Sequence, residues 1–517
     1  MLTYRKTISL ALSLVLTASA LAACSSATDE TISSTLPTTS ATETSIPETT
    51  AIIPETTAET TAEPGTYETA PEETEVDLDY VRAVDGVTAE MMNSDFWIGE
   101  DDNVILMNEE EIAEFNHTNR VHIKSNDGTE LPFFDEFEDT LDGDLLRIFL
   151  NDNAASVPSS PSSYYLDGTP TTKSYWDNLI KLSNIDGVED VIEVQYGYTV
   201  KRTTLRMFPT EDRVFSSSTD QYFDKLLYSE CMPYMPVYVL HESLDGEYLY
   251  VVFDSFSAWV QKDAVALCDS KEDWLARQNP DQWLVVTARE IRLGDDPYLE
   301  ATKDLVLPMG TRMQLVPASE APDEINQRTT YCDYVVKVPT RGSDGYVKDE
   351  YVLIPVSDDV SVGFLPLTSA NIIRQAFKLL GDRYGWGGDL RANDCTGITR
   401  EIYRCFGILL PRVGQSNSTG IYKVDLSEMS DEEKLAVIED LAPGSLISFP
   451  GHMMIYLGTV DGVPYVISAV GTFIAPEGGS EEQIHPRSVI ITSLYVRSKS
   501  LSTWLSIATT AITIKPE

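Results

Sequence analysis

Residues 25–75 carry almost no apolar positions and read Thr, Glu, Pro, Ala and Ser, with near-repeats such as Pro47-Glu48-Thr49-Thr50 and Pro54-Glu55-Thr56-Thr57. A stretch with little to bury and charges of one sign stays extended and solvated, so residues 24–77 are expected to form a disordered tether. Apolar periodicity first emerges over residues 91–115, where Ser94-Asp95-Phe96-Trp97-Ile98 precedes Asn108-Glu109-Glu110-Glu111-Ile112-Ala113-Glu114-Phe115. Asn108 followed three residues on by Glu111 has the form of a capping box and predicts a helix start. Residues 78–196 are read as one small N-terminal domain, mostly helical and irregular, with a further helix over 175–182.

The pattern then changes to short apolar runs separated by turns, as in small all-β barrels. Tyr198-Thr199-Val200, Thr204-Leu205-Arg206-Met207, Pro236-Val237-Tyr238-Val239-Leu240, residues 248–253 and Ala258-Trp259-Val260 predict one barrel over 197–272. Trp283-Leu284-Val285-Val286, Ile291-Arg292-Leu293, residues 312–316, Asp333-Tyr334-Val335-Val336-Lys337 and Gly345-Tyr346-Val347-Lys348 repeat the same order and predict a second over 281–357.

Residues 366–515 return to mixed grammar. Ile372, Ile373, Ala376, Phe377 and Leu380 fall on one face of a helix that Gly381 stops. A second helix begins at Asp394, buries Ile398, Ile402, Cys405 and Phe406, and ends at Gly407. Strands over 445–449, 453–457, 465–469 and 489–492 follow, with Asp461-Gly462 turning one hairpin. The fold class is therefore multidomain α+β: a mostly helical N-terminal domain, two small β-barrels, which resemble bacterial SH3 modules in Ala258-Trp259-Val260 and more weakly in Gly345-Tyr346-Val347, and a C-terminal α+β domain of helices on an antiparallel sheet.

Composition narrows the setting. Arg5 and Lys6 precede an apolar run over 8–21 and then Leu21-Ala22-Ala23-Cys24. The run is short for a membrane span, and small residues before a Cys resemble a bacterial lipoprotein processing site, at which Cys24 becomes a diacylated N-terminus. Residues 1–23 are thus expected to be a signal peptide, and the mature chain to be exported, anchored to the cell membrane by lipid on Cys24 and facing the cell wall. With 82 Asp and Glu against 37 Lys and Arg, the chain repels a phosphate backbone, which argues against nucleic acid as a partner. Cys231, Cys268, Cys332, Cys395 and Cys405 are odd in number, irregularly spaced and without a Cys-x-x-Cys pair, so they suit neither a disulfide framework nor a zinc site.

Cys395 follows Asp394, a good N-cap, at the first position of an amphipathic helix. The partial positive charge there favours thiolate over thiol, and backbone N–H groups at a helix start can hold an oxyanion during acyl transfer. Cys405 lies on the apolar face of the same helix and is assigned to packing. Of His117, His122, His241, His452 and His485, only His452 opens a buried strand of the same domain, after Pro450-Gly451, where its ring can face a helix terminus as general base.

Gly381-Asp382-Arg383-Tyr384-Gly385-Trp386-Gly387-Gly388, Asp394-Cys395-Thr396-Gly397, Phe406-Gly407-Ile408, Leu410-Pro411-Arg412, Pro443-Gly444-Ser445-Leu446-Ile447 and Gly451-His452 resemble, in order, the motifs of the NlpC/P60 family of cell-wall cysteine peptidases. The preceding segments resemble the four-part variant of that family, with an N-terminal stabilising domain, two bacterial SH3 domains and the peptidase. The resemblance implies a papain-like core over 366–515. It also implies hydrolysis of the γ-D-glutamyl–diamino acid bond of peptidoglycan stem peptides, with no metal or organic cofactor. Cys395 is then the nucleophile, His452 the base and Tyr384 part of the oxyanion site beside the Cys395 amide. Asp394 and Thr396, with Trp386 and Arg412 of the matching motifs, would face the substrate, and Asp394 would pair with a free N-terminal L-Ala ammonium. Walls from the first barrel would exclude glycan-attached stems.

The family's third polar residue, most often His, falls here on Ser468 in Tyr465-Val466-Ile467-Ser468-Ala469. A hydroxyl accepts the imidazole N–H but stabilises imidazolium less than a carboxylate does. His485 is the alternative third residue if the loop over 472–486 folds back. A catalytically weakened wall-binding scaffold, or an amidase or acyltransferase using the same thioester, are the other readings these residues allow.

Overall fold

The Asn108 capping box forms as its spacing predicts. The side chain takes the N–H groups of Glu110 and Glu111 at 2.9 and 3.0 Å, Glu111 reaches back to the Asn108 amide at 2.8 Å, and a helix runs Glu109–Thr118. The computed structural model describes residues 76–158, 163–412 and 422–514. The signal peptide, Cys24 and nearly all of the tether lie outside the described residues.

The N-terminal segment is not one unit with its own core. Val87, Met91, Trp97, Met107 and Phe115 are buried among residues of the C-terminal domain, including Ile372, Ile402, Tyr403 and Leu457. Ile123, Leu131, Phe149, Leu150 and Ile192, together with the helix Gly143–Ala155, pack instead on Tyr238, Tyr250 and Trp259 of the first barrel. The amphipathic stripes are real, but each is covered by a partner remote in sequence. Burying one large apolar side chain contributes about 1.5–3 kcal/mol.

Barrel 1 is a seven-stranded antiparallel sheet running from Gln195–Thr199 to Val265–Leu267, with Leu227–Cys231 at one edge. The helix Lys271–Gln278 leads to barrel 2, whose five-stranded sheet is ordered Val347–Pro355, Asp333–Arg341, Arg312–Leu315, Trp283–Val286, Val360–Val362. A separate hairpin, Glu290–Arg292 with Val306–Pro308, completes it.

The C-terminal domain has a six-stranded antiparallel sheet in the order Lys423–Asp425, Thr510–Ile512, Leu446–Phe449, His452–Val460, Val463–Val470, Ser488–Ser493. Asp461 and Gly462 both take positive φ, 51° and 74°, as the predicted two-residue hairpin requires. Ile455, Leu457, Ile467 and Ala469 line the face that receives the helices Ser369–Phe377 and Cys395–Arg404, while Met454, Tyr456, Val466 and Val470 line the other. Alternation of side chains thus buries both faces of the two central strands.

Candidate active site

The helix Cys395–Arg404 starts where its sequence says it should. Asp394 is extended, with ψ of −175°, and one carboxylate oxygen takes the N–H of Gly397 at 2.9 Å. That carboxylate does more than cap. It also takes the Gly387 N–H at 2.9 Å, the Thr396 hydroxyl at 3.0 Å and both guanidinium nitrogens of Arg412, one of them at 3.2 Å. Burial would raise its pKa, but Arg412 and the two amides hold it below the usual carboxylate value. Asp394, Thr396 and Arg412 are therefore committed to one another. None of the three presents a free polar group to an incoming ammonium, because the ammonium would have to displace Arg412.

Cys395 is 7% exposed, and the backbone N–H groups of Met453 and Thr396 act on its sulfur in favour of thiolate. Met453 is the residue after His452 in the strand that runs against the helix, so Cys395 and His452 belong to one helix–strand junction. The His452 ring lies between Phe449 and Trp504, with centroids 5.4 and 4.9 Å away, and its Nε2 is 3.1 Å from Ser468 Oγ. Ser468, fully buried, fixes the ring; His485 is exposed beside the hairpin Phe473–Ile474 and Gln483–Ile484. Nδ1 keeps no hydrogen-bond partner among the described residues.

The electrostatics depart from the sequence expectation. Burial and the adjacent Asp394 charge push the Cys395 thiol up to about 12, against the two N–H groups that favour thiolate. Burial likewise brings His452 down to about 4, although the Asp394 charge works the other way. No hydrogen bond joins thiol and ring, and burial favours the neutral form of each. Cys405 is also pushed up to about 12; what distinguishes it is complete burial and a thiol facing the Val286 and Glu401 carbonyls at 3.6 and 3.7 Å.

Two consequences are measurable. Alkylation of Cys395 by iodoacetamide should accelerate steadily with pH from neutrality upward; a rate plateau below pH 6 would instead reveal a preformed thiolate. For His452, the folded pKa lies below the unfolded 6.5, so its stabilisation is complete above pH 6.5 and lost as pH falls towards 4. Denaturant unfolding at pH 7 and pH 4 should show wild type losing about 3 kcal/mol more than His452→Ala over that interval.

Tyr384 is buried 6.2 Å from Phe223, and burial together with the nearby Asp394 charge keeps its phenol protonated and able to donate. Trp386, 39% exposed, lies 5.8 Å from the same Phe223. The loop after Trp386 touches barrel 1 directly: a Cβ on Gly388, at φ 92°, would meet Glu230 Cγ at 2.6 Å. Arg487 clasps Asp220 at 3.1 and 3.3 Å and lies 3.7 Å over the Tyr222 ring, so residues 220–223 of barrel 1 form a wall of the site. Phe223 had no signal in the sequence, since its neighbours are brought to it only by the packing of two domains.

Residues 381–491 match the model of the NlpC/P60 family, and residues 213–261 that of an SH3 domain of the SH3b1 type. The C-terminal domain is an NlpC/P60 domain. NlpC/P60 proteins are cysteine peptidases, which supports a cell-wall peptidase role for this chain. The NlpC/P60 match contains Tyr384, Cys395, His452 and Ser468, the residues that the fold brings together. The chain is 21% identical over 238 residues to dipeptidyl-peptidase 6 of Lysinibacillus sphaericus, covering 46% of this chain and 76% of that protein. Its fold is similar to that of an NlpC/P60 endopeptidase from Photobacterium damselae subsp. piscicida, with TM-score 0.63, 16% identity, and coverage of 82% of this chain and 97% of that one.

Proposed function

We propose that this chain hydrolyses the γ-D-glutamyl–diamino acid bond of peptidoglycan stem peptides, acting outside the cell from a lipid anchor on Cys24 and without metal or organic cofactor. The observation that carries the reading is the Cys395 sulfur at a helix start against the Met453 amide, with the His452 ring held by Ser468 one residue away. Cys395 Sγ attacks the carbonyl carbon as its proton passes to His452. The oxyanion is met by the Cys395 amide and the Tyr384 phenol, His452 returns the proton to the leaving amine, and water then hydrolyses the thioester.

Preference for peptides with a free N-terminal L-Ala is supported by the wall that residues 220–223 place beside Tyr384 and Trp386. The Lysinibacillus relative carries the name of a dipeptidyl-peptidase, which accords with cleavage two residues from a free N-terminus. With Asp394 held by Arg412, selectivity in this reading comes from the wall rather than from an Asp394–ammonium pair. A free tripeptide should be cleaved at least about tenfold faster than intact sacculi, and Phe223→Ala should narrow that ratio. Equal cleavage of both substrates by wild type would remove the selectivity proposal.

One observation favours a second reading, a wall-binding scaffold of weakened activity: burial favours the neutral thiol and imidazole, with a hydroxyl rather than a stronger acceptor behind the ring. Incubation with purified muropeptides separates the two, since a scaffold yields no product.

A further inference from the structure

A cleft of about 380 Å³ opens where the two barrels meet the C-terminal end of the nucleophile helix. Its wall carries four cations, Arg277, Arg312, Lys337 and Arg404, and one carboxylate, Asp349. That balance is the reverse of the chain as a whole, in which acidic side chains outnumber basic ones 82 to 37. Asp349 is already engaged, taking Arg277 at 2.5 and 3.2 Å and Lys337 at 3.0 Å.

Arg312 and Arg404 make no ion pair with a carboxylate among the described residues, although the charges of Asp254 and Glu401 act on Arg404. Arg312 gives one Nη to the Gln278 carbonyl at 2.6 Å and lies 5.7 Å over the Trp283 ring. Arg404 donates to the Met232 sulfur at 2.6 Å, and a thioether is a weak acceptor that supplies no charge. The two side chains come from different domains. A Cβ on Gly310, two residues before Arg312, would lie 2.7 Å from Arg404 Cβ, which shows how closely the barrel turn is applied to the helix.

Both guanidiniums are largely withdrawn from solvent. Burial lowers the pKa of each, that of Arg404 to about 10 with Arg400 on the same helix adding repulsion. A cation in the last helical turn is favoured by the helix dipole, which accounts for Arg404 but not for Arg312 arriving from a barrel strand. The cleft wall also contains Tyr234, a bulky residue at φ 63° whose buried hydroxyl has no partner among the described residues. Left-handed backbone at such a residue is costly and persists where the surroundings enforce it, often at ligand sites.

We propose that this cleft is an anion site, in which Arg312 and Arg404 together bind a phosphate or carboxylate group. It is separate from the peptidase centre, at the other end of a ten-residue helix that spans roughly 15 Å. A guanidinium is a planar fork suited to such oxyanions, and neither Arg312 nor Arg404 is held in an ion pair that an incoming anion would have to break. The same chemistry serves a free inorganic anion or a phosphodiester group of a larger molecule.

Calorimetric titration of the full chain at fixed ionic strength with inorganic phosphate, and separately with glycerophosphocholine, tests this. Saturable binding of phosphate alone identifies a free-anion site, and binding of both identifies a site open to phosphodiesters. In either case an Arg312→Gln/Arg404→Met variant should bind at least about tenfold more weakly. In phosphate-free buffer the same variant should melt no lower than wild type, because the two buried cations it removes make no ion pair. Absence of saturable binding of both probes, undiminished binding by the variant, or a variant that melts well below wild type without phosphate would each overturn the site.

Discussion

Arg412→Gln is expected to lower the stability of the fold by about 3–5 kcal/mol, with urea unfolding at pH 7 as the measurement. Exposed ion pairs on this chain, such as Lys173 with Asp177, would contribute only about 0–1 kcal/mol on the same test. The difference is burial: Asp394 is 3% and Arg412 11% exposed at the side chain, so removing the cation strands a carboxylate away from water. Asp394→Asn should restore much of the loss in the double variant, because Asn still caps a helix and no longer carries an uncompensated charge. If Arg412→Gln instead proves neutral, the pair is not the anchor of the nucleophile helix.

Cys395→Ala should reduce hydrolysis by at least about 10⁴-fold with little change in stability, and His452→Ala should do nearly the same, since nucleophile and base act as one unit. Ser468→Ala should cost only about tenfold. Ser468 supplies orientation through one neutral hydrogen bond at 3.1 Å, whereas a carboxylate in that place would also stabilise the imidazolium as it forms. Cys405→Ala should leave turnover unchanged and cost stability alone, as expected for a thiol at full burial. A loss of turnover in Cys405→Ala equal to that in Cys395→Ala would mean that packing, not chemistry, is what the first substitution disturbs.

The parts of the site that were legible in the sequence are those fixed locally. Asp394 caps the helix that begins at Cys395, Gly381 takes φ 85° at the end of the preceding helical stretch, and Asp461-Gly462 turns the hairpin that places Ser468 against His452. Each depends on neighbours within a few residues, which is the range over which capping and turn chemistry act. The helix Asp431–Glu439 carries an equally local signal, Ser430 with Glu433, but its apolar positions do not make a stripe, so periodicity passes over it.

What the sequence could not carry was depth. The helix-terminus argument for a thiolate at Cys395 is correct in sign, yet desolvation and the neighbouring Asp394 charge outweigh it once the junction is buried. The assignment of Asp394 to the substrate came with the family resemblance; only the fold reveals that Arg412 already occupies it. The division of the N-terminal segment between two cores, and the delivery of Phe223 to Tyr384, follow from contacts between segments remote in the chain, for which no single stretch holds a pattern.

The most direct test of the account is mass spectrometry of purified muropeptides after incubation with wild type and with Cys395→Ala. Products cut at the γ-D-glutamyl–diamino acid bond are expected with wild type and none with the variant. The same products from Cys395→Ala, or an unchanged mixture with wild type, would contradict it.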